Sequence, residues 1–219
     1  MNHRVDTTIQ AELQHALEGR VDGQVHFDKI SRVLYSTDAS NHQVEPLGVV
    51  RPRSDEGLQA AIQVASEFGV PVIARGAGTG LAGQAIGTGL IVDTARYLNR
   101  ILEVDVEART VTVEPGVVLS TVNQALAPLG FMIGPDPASA DRATLGGMIG
   151  TNASGAHSIA HGMTADHLVA AEVYLSDGEA VHLGLVPLAD AIRQSTLGTG
   201  LGRILQACLH IRQLQAKEI

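Results

Sequence analysis

Arg75-Gly76-Ala77-Gly78-Thr79-Gly80-Leu81-Ala82-Gly83-Gln84 carries almost no side chain and follows directly on the apolar run Val70-Pro71-Val72-Ile73-Ala74. A loop so bare can bring several main-chain N–H groups to one point, the arrangement that holds a phosphate without a metal or a wall of lysines. The stretch reads as a pyrophosphate cradle. Gly78-x-Gly80-x-x-Gly83 also fits the dinucleotide fingerprint of doubly wound folds. That fingerprint, however, needs a helix running on from its third glycine and an acidic residue about twenty positions later. Here Gln84-Ala85-Ile86-Gly87-Thr88-Gly89 leads straight into Leu90-Ile91-Val92-Asp93, so no such helix fits. The absence of a Gly-Lys-Ser/Thr ending removes the nucleotide-hydrolase phosphate loop as well.

A second glycine-rich region runs from Gly134-Pro135-Asp136-Pro137-Ala138-Ser139 to Thr144-Leu145-Gly146-Gly147-Met148-Ile149-Gly150-Thr151-Asn152-Ala153-Ser154-Gly155. In a lone helix each of these glycines would cost about 1 kcal/mol relative to alanine. A large planar ligand lying against the main chain would require such bareness. Two such stretches, remote in sequence, imply one extended ligand contacted from two sides.

The elements that position these loops follow from spacing. Asp6 to Glu18 has a helical apolar face stopped at Gly19, and Val25 to Leu34 reads as another short helix. Leu47 to Pro52 is the first strand, Ser54 caps a helix that ends at Gly69, and Val70 to Ala74 is the second strand. This βαβ unit predicts a parallel pairing. Gly89 to Asp93 is a third strand. Arg100–Val106 and Arg109–Gly116 alternate at period two as a hairpin, Leu119–Leu126 is a helix closed by Pro128 and Gly130, and Leu168–Leu175 pairs with Glu179–Leu183 around Ser176-Asp177-Gly178. Pro187–Gln194 and Gly200–Leu214 are helical by spacing. The fold class is α+β.

The 219 residues are 45% hydrophobic and 17% charged, enough for one sizeable core or two small ones. A formal charge of -8 with scattered basic residues argues against nucleic acid as a partner. The single cysteine, Cys208, allows no internal disulfide and no metal cluster within the chain and reads as a buried spectator. Met1 to Gly19 is too polar for a signal peptide, and no apolar run is long enough to span a membrane, so the expected location is cytoplasmic.

Taken together, Arg75-Gly76-x-Gly78-Thr79-x-Leu81-x-Gly83, Gly134-Pro135-Asp136-Pro137-x-Ser139, Leu145-Gly146-Gly147 with Asn152-Ala153-x-Gly155, Glu172-Val173 and Asp177-Gly178 resemble the flavin-binding (PCMH-type) domain of the vanillyl-alcohol oxidase / p-cresol methylhydroxylase superfamily. Within it, the chain is similar to the D-lactate dehydrogenase, D-2-hydroxyglutarate dehydrogenase and glycolate oxidase flavin-subunit branch. The likeness covers residues 30 to 184 or so.

The resemblance implies a two-lobed domain at 41–184 (lobes 41–95 and 96–184), preceded by a helical segment at 1–40 and followed by the helical start of a further region at 185–219. It implies FAD as cofactor. Gly76, Ala77, Gly78, Thr79 and Gly80 would hold the pyrophosphate, the Thr79 hydroxyl as an added donor, with Arg75, Leu81, Gly83 and Gln84 completing that loop. Arg75 would either steady the loop through carbonyls or meet a phosphate. Leu145, Gly146, Gly147, Gly150, Thr151, Asn152 and Gly155 would line the ribityl and flavin side, Pro135 the ring with Asp136 and Ser139 beside it, and Glu172 and Val173 the adenine. Relatives with covalent flavin have histidine where this chain has Thr79, so the FAD is expected to be non-covalent. His157 and His161, four apart, could in principle share a metal, but His161 stands where the family has tyrosine. Both are read as loop residues, and no metal is assigned. Asp166 matches a loop-ordering acidic position.

In such enzymes a 2-hydroxy acid gives hydride from Cα to flavin N5, and a substrate-capping domain supplies the base; some carry an iron–sulfur module later. No residue of this chain is assigned as the catalytic base, and the electron acceptor is not indicated. The chain is expected to be the flavin-binding portion of such an enzyme, the alternative being a non-catalytic FAD-holding accessory subunit of a glycolate-oxidase-like complex.

Overall fold

Parallel strands lying side by side need a chain return between them, and here that return contains the first glycine-rich loop. The computed structural model describes residues 7–216, which form two compact units, 7–168 and 169–216. In the first unit, α1 (Thr7–Arg20) buries Leu13 and Leu17 completely. The helix does not stop at Gly19: that residue has open space around it, and the turn continues to Arg20, whose Nη1 meets Glu67 Oε1 at 2.8 Å and Oε2 at 2.6 Å. Asp6, the expected start, lies outside the described residues.

The expected helix at Val25–Leu34 is instead a strand, β1 (Gly23–His26), and a short helix, α2 (Lys29–Leu34). Two local facts divide them. Asp28 has extended dihedrals and its side chain accepts from Ser31 N, which starts α2, while β1 pairs antiparallel with β2 (Gly48–Pro52). Main-chain pairing with a strand some 25 residues on outweighs local propensity.

From β2 the chain enters α3 (Asp55–Glu67), capped as expected by Ser54, whose side chain accepts from Gly57 N. It buries Ala61, Val64 and Ala65 against Val50, Leu90 and Val92. Fully burying a valine or leucine contributes about 1.5–3 kcal/mol, so this cluster anchors the sheet. β3 (Val72–Arg75) and β4 (Leu90–Asp93) follow, and the sheet order is β1-β2-β4-β3. β2 and β3 are therefore parallel but not neighbours; β4 inserts between them with register Val50↔Val92 and Ala74↔Val92. β4 is the strand of this sheet with all four residues buried. A continuous Leu-Ile-Val run belongs in that central position.

The hairpin β5 (Ile101–Asp105) and β6 (Thr110–Val113), α4 (Leu119–Leu126) and a 3₁₀ turn at 127–129 follow the expected order. Within the second glycine-rich region, Leu145–Thr151 forms a helix, α5. It is short, it is capped by Thr144, and its Leu145 and Met148 sit in a second core with Val117, Leu119, Val122 and Leu126. Tertiary burial offsets the poor propensity of its three glycines. A four-residue α6 (Ser158–His161) and a 3₁₀ turn at 164–167 complete the unit.

The second unit pairs β7 (Ala170–Tyr174) with β8 (Ala180–Gly184) antiparallel, as expected, and adds α7 (Leu188–Ser195) and α8 (Gly200–Leu214). Cys208 lies on α8 and is exposed, not buried. Ile204 and Ile211 of the same helix are also exposed. No described helix is long and apolar enough to cross a membrane.

Candidate functional site

β3 delivers Arg75 to the start of the glycine-rich turn, and Arg75 then turns away from it. Its Nη1 donates to Ala85 O at 3.1 Å and Tyr35 O at 3.4 Å, and its Nη2 donates to Thr37 O at 2.8 Å. Of the two roles open from sequence, the carbonyl contacts are the ones observed. Beyond Arg75, the main-chain N–H groups of Gly76, Ala77, Thr79, Gly80 and Leu81 have no acceptor among the described residues. A run of unpaired donors at one turn is an anion-receiving feature, because unsatisfied N–H groups carry partial positive charge that only solvent or a ligand can meet.

The other loop residues shape this turn. Gly78 takes φ +68, and Ala39 N donates to its carbonyl at 3.0 Å. Gly83 takes φ +76 beside His42. The Gln84 side chain fills the space over Gly80 and accepts from Ala82 N at 3.1 Å, while Leu81 is 79% exposed.

Gly76 meets the second region directly, since a Cβ there would stand 2.1 Å from Thr144 Oγ1. Thr144 is 2% exposed and its hydroxyl caps α5 through Gly147 N. The two glycine-rich stretches therefore meet at the N-cap of α5. An open cleft of about 440 Å³ lies there, walled by Ala77, Gly116, Val118 and Thr144, with Asn99, Thr121, Asp141 and Arg142 among its polar lining.

The glycines of the second stretch are bare for different reasons. Gly146 packs on Pro115, to whose carbonyl it donates at 2.8 Å, and Gly155 packs on the Asp136 carbonyl. Protein main chain, not a ligand, occupies those spaces. Gly150 has nothing within 4 Å and is exposed, as is Gly147, so these two keep a naked helix face. The N–H groups of Leu145, Gly146 and Gly147 are all taken, by Val117 O, Pro115 O and Thr144 Oγ1. What α5 offers a ligand is surface, not donors.

Pro135 is buried. Asp136 receives the main-chain N–H of His157 at 3.0 Å and pairs through its other oxygen with His157 Nδ1. These bonds, the main-chain one first, hold the Asp136 carboxyl below the usual range. Ser139 O accepts from Arg142 N and Ala143 N. Thr151 Oγ1 donates to Gly147 O, and Asn152, at φ +47, ends α5 and accepts from Ala165 N. Asp166 accepts from Met163 N, the loop-ordering part expected of it. His157 and His161 have ring centroids 6.3 Å apart, and no group of three or more metal-binding side chains occurs among the described residues. Glu172 and Val173 lie on β7 in the second unit, where Glu172 pairs with His182 at 2.5 Å.

Several site residues gave no strong signal in sequence. Tyr35-Ser36-Thr37-Asp38, read only as a polar approach, forms the floor under the glycine-rich turn. The Tyr35 ring lies 5.1 Å from Arg75 Cζ and 5.3 Å from Arg51 Cζ, and its hydroxyl donates to Asp93. Burial pushes the Tyr35 phenol up, and the Asp93 bond adds to that. Burial also pushes the Asp38 carboxyl up, but hydrogen bonds from Ser40 and Ala85 and the charge of Arg75 hold it below its usual value. Gly116 was legible only as the glycine after Pro115 at a strand end; a Cβ there would meet Thr94 O at 2.3 Å.

This geometry fits a nucleotide-linked cofactor: free donors at one turn, a bare helix face, and an open cleft where they meet. The FAD binding domain family matches residues 46–184 of the chain. The chain belongs to that family. FAD is the cofactor of this FAD binding domain. The domain is 40% identical over 181 residues to D-2-hydroxyglutarate dehydrogenase of Pantoea ananatis (strain AJ13355), covering 81% of this chain and 18% of that protein. It is 35% identical over 169 residues to glycolate oxidase subunit GlcD of Bacillus subtilis (strain 168), covering 75% of this chain and 36% of that one. Among solved structures, 4-ethylphenol oxidase from Gulosibacter chungangensis superposes with a TM-score of 0.71 at 22% identity, over 83% of this chain and 36% of that chain. The last likeness concerns the fold alone. The chain thus spans about a fifth to a third of the length of such relatives.

Proposed function

We propose that this chain is the FAD-holding portion of a flavin-dependent 2-hydroxy acid oxidoreductase of the D-2-hydroxyglutarate, glycolate or D-lactate type. The observation that carries the reading is the meeting of the amide-rich turn with the capped glycine helix at Gly76 and Thr144. The domain proper is taken as 41–184. Arg75 to Gln84 serve the pyrophosphate; Pro135, Asp136, Ser139 and Leu145 to Gly155 serve the flavin half; Glu172 and Val173 serve the adenine.

When bound, FAD supplies the acceptor for hydride from the substrate Cα. The residues of this chain bind and orient. Unpaired N–H groups at 76–81 receive the pyrophosphate, and the Thr144 hydroxyl, fixed by Gly147 N, sets the distance between turn and helix. Gly147 and Gly150 let the main chain approach a ring system closely. No residue here is assigned as the base that takes the substrate hydroxyl proton. A role as the FAD-holding subunit of a glycolate-oxidase-like assembly is the second reading, motivated by the likeness to a glycolate oxidase subunit. A cytoplasmic location goes with either.

Titration of the purified chain with FAD, followed by desalting and absorbance, tests the cofactor part; a chain that neither binds nor retains flavin overturns it. Turnover of 2-hydroxy acids by the protein expressed from its whole reading frame separates enzyme from accessory subunit.

A further inference from the structure

The glycine-rich turn should be floppy on its own, with glycines at 76, 78, 80 and 83. It is instead tied to segment 35–42 at three places. Arg75, at the turn's entrance, reaches Tyr35 O and Thr37 O on that segment and Ala85 O at the turn's exit. Ala39 N holds Gly78 O, and Gly83 rests against His42. Behind the guanidinium stands Tyr35, itself fixed by Asp93 and by Arg51 Nε at 2.9 Å. The Asp38 carboxylate stands near Arg75, with Oδ1 bonded to Ser40 N.

We propose that Arg75, braced by Tyr35, is a positioning residue that staples entrance and exit of the turn to segment 35–42 and so holds the cradle in its receiving shape before any ligand arrives. It does this without touching the ligand. The inference deepens the FAD reading and rests on it. The charges near the cradle are balanced, Arg75 and Arg51 against Asp38 and Asp93, so attraction for an anion comes from the ordered N–H groups and depends on their order. A planar fork can address carbonyls in two directions at once; an ammonium on a flexible stem cannot replace it.

The test compares Arg75→Lys, Arg75→Met and Tyr35→Leu in the whole 219-residue chain. FAD and inorganic pyrophosphate affinities are measured by titration, with amide exchange at Ala39 followed in the ligand-free protein. Arg75→Lys should weaken FAD at least tenfold, as much as Arg75→Met does, and exchange at Ala39 should quicken at least tenfold in both. Tyr35→Leu, which leaves every Arg75 donor in place, should give a smaller change in the same direction in both readouts. Affinity within threefold of the parent in Arg75→Lys but not in Arg75→Met would mean direct charge contact with the ligand and overturn the proposal; unchanged Ala39 exchange would overturn it too. A parent chain that binds neither FAD nor pyrophosphate defeats the functional reading, whereas the Ala39 exchange still decides whether Arg75 orders the turn.

Discussion

Gly76 and Thr144 stand so close that a methyl group on the first would lie 2.1 Å from the hydroxyl of the second. No real Cβ tolerates that distance, so Gly76→Ala must displace either the turn or the cap of α5. The expected result is a loss of at least tenfold in FAD affinity by titration, with the unfolding free energy lowered by about 1–3 kcal/mol as for other overpacking changes. Unchanged affinity would show that the two stretches need not meet.

Thr144 serves the same junction from the other side. Thr144→Val keeps the shape and removes the acceptor for Gly147 N, which should cost about 1 kcal/mol of stability in a denaturant titration. Thr144→Ser should recover most of that. A Thr144→Val variant as stable as the parent, with Thr144→Ser destabilised, would place the contribution in the methyl group instead.

Gly150 offers the opposite experiment. A Cβ at Gly150 meets nothing within 4 Å, so Gly150→Ala should stabilise the ligand-free chain by about 0.5–1 kcal/mol through helix propensity and reduced unfolded-state freedom. FAD affinity should nevertheless fall at least tenfold, because the added methyl would stand on the face assigned to the cofactor. Thermal unfolding of the ligand-free chain and flavin titration read the two effects separately. A more stable variant with parental affinity would remove Gly150 from the site.

Glu114 is 7% exposed and accepts from Arg100 N at 2.7 Å, Nε at 3.0 Å and Nη2 at 2.7 Å. Burial pushes its carboxyl up, but the Arg100 bonds outweigh burial and hold it below the ordinary 4.5. A depressed folded value means that the stabilisation is complete above the unfolded value and is lost as pH falls through the folded one. Glu114→Gln should therefore unfold more easily than the parent at pH 7, and the gap should shrink below about pH 4.5. Unfolding midpoints measured across that range check it; a constant gap would exclude the ionised carboxylate as the cause.

Segments whose local chemistry agreed with their tertiary role could be read directly from sequence. Ser54 capped α3, the alternation at 101–113 made a hairpin, and the bareness of 76–83 marked a turn with free donors. The misreadings lie where distant contacts decide. Val25 looks helical by spacing, but strand pairing with Val50 claims it. The glycines of Leu145 to Thr151 disfavour a lone helix, and it is burial of Leu145 and Met148 in the second core that lets one form. The floor at 35–38 and the cleft wall at 116–118 acquire their place only because sheet order and the α5 cap bring them beneath the turn. Spacing along the chain carries no record of that.

The order β1-β2-β4-β3 puts the cradle's leading strand at the sheet's rim, with its immediate successor next door and pointing the same way. Going back from the end of one four-residue strand to the beginning of the next spans about 13 Å at about 3.3 Å per residue. The fourteen residues between Arg75 and Leu90 could reach roughly 46 Å if pulled straight. The surplus slack is what curls into the turn at 76–83. Shortening this connection by a few residues should leave the sheet able to close while removing the turn and its unpaired N–H groups, so the capacity for the proposed ligand can be lost without the fold.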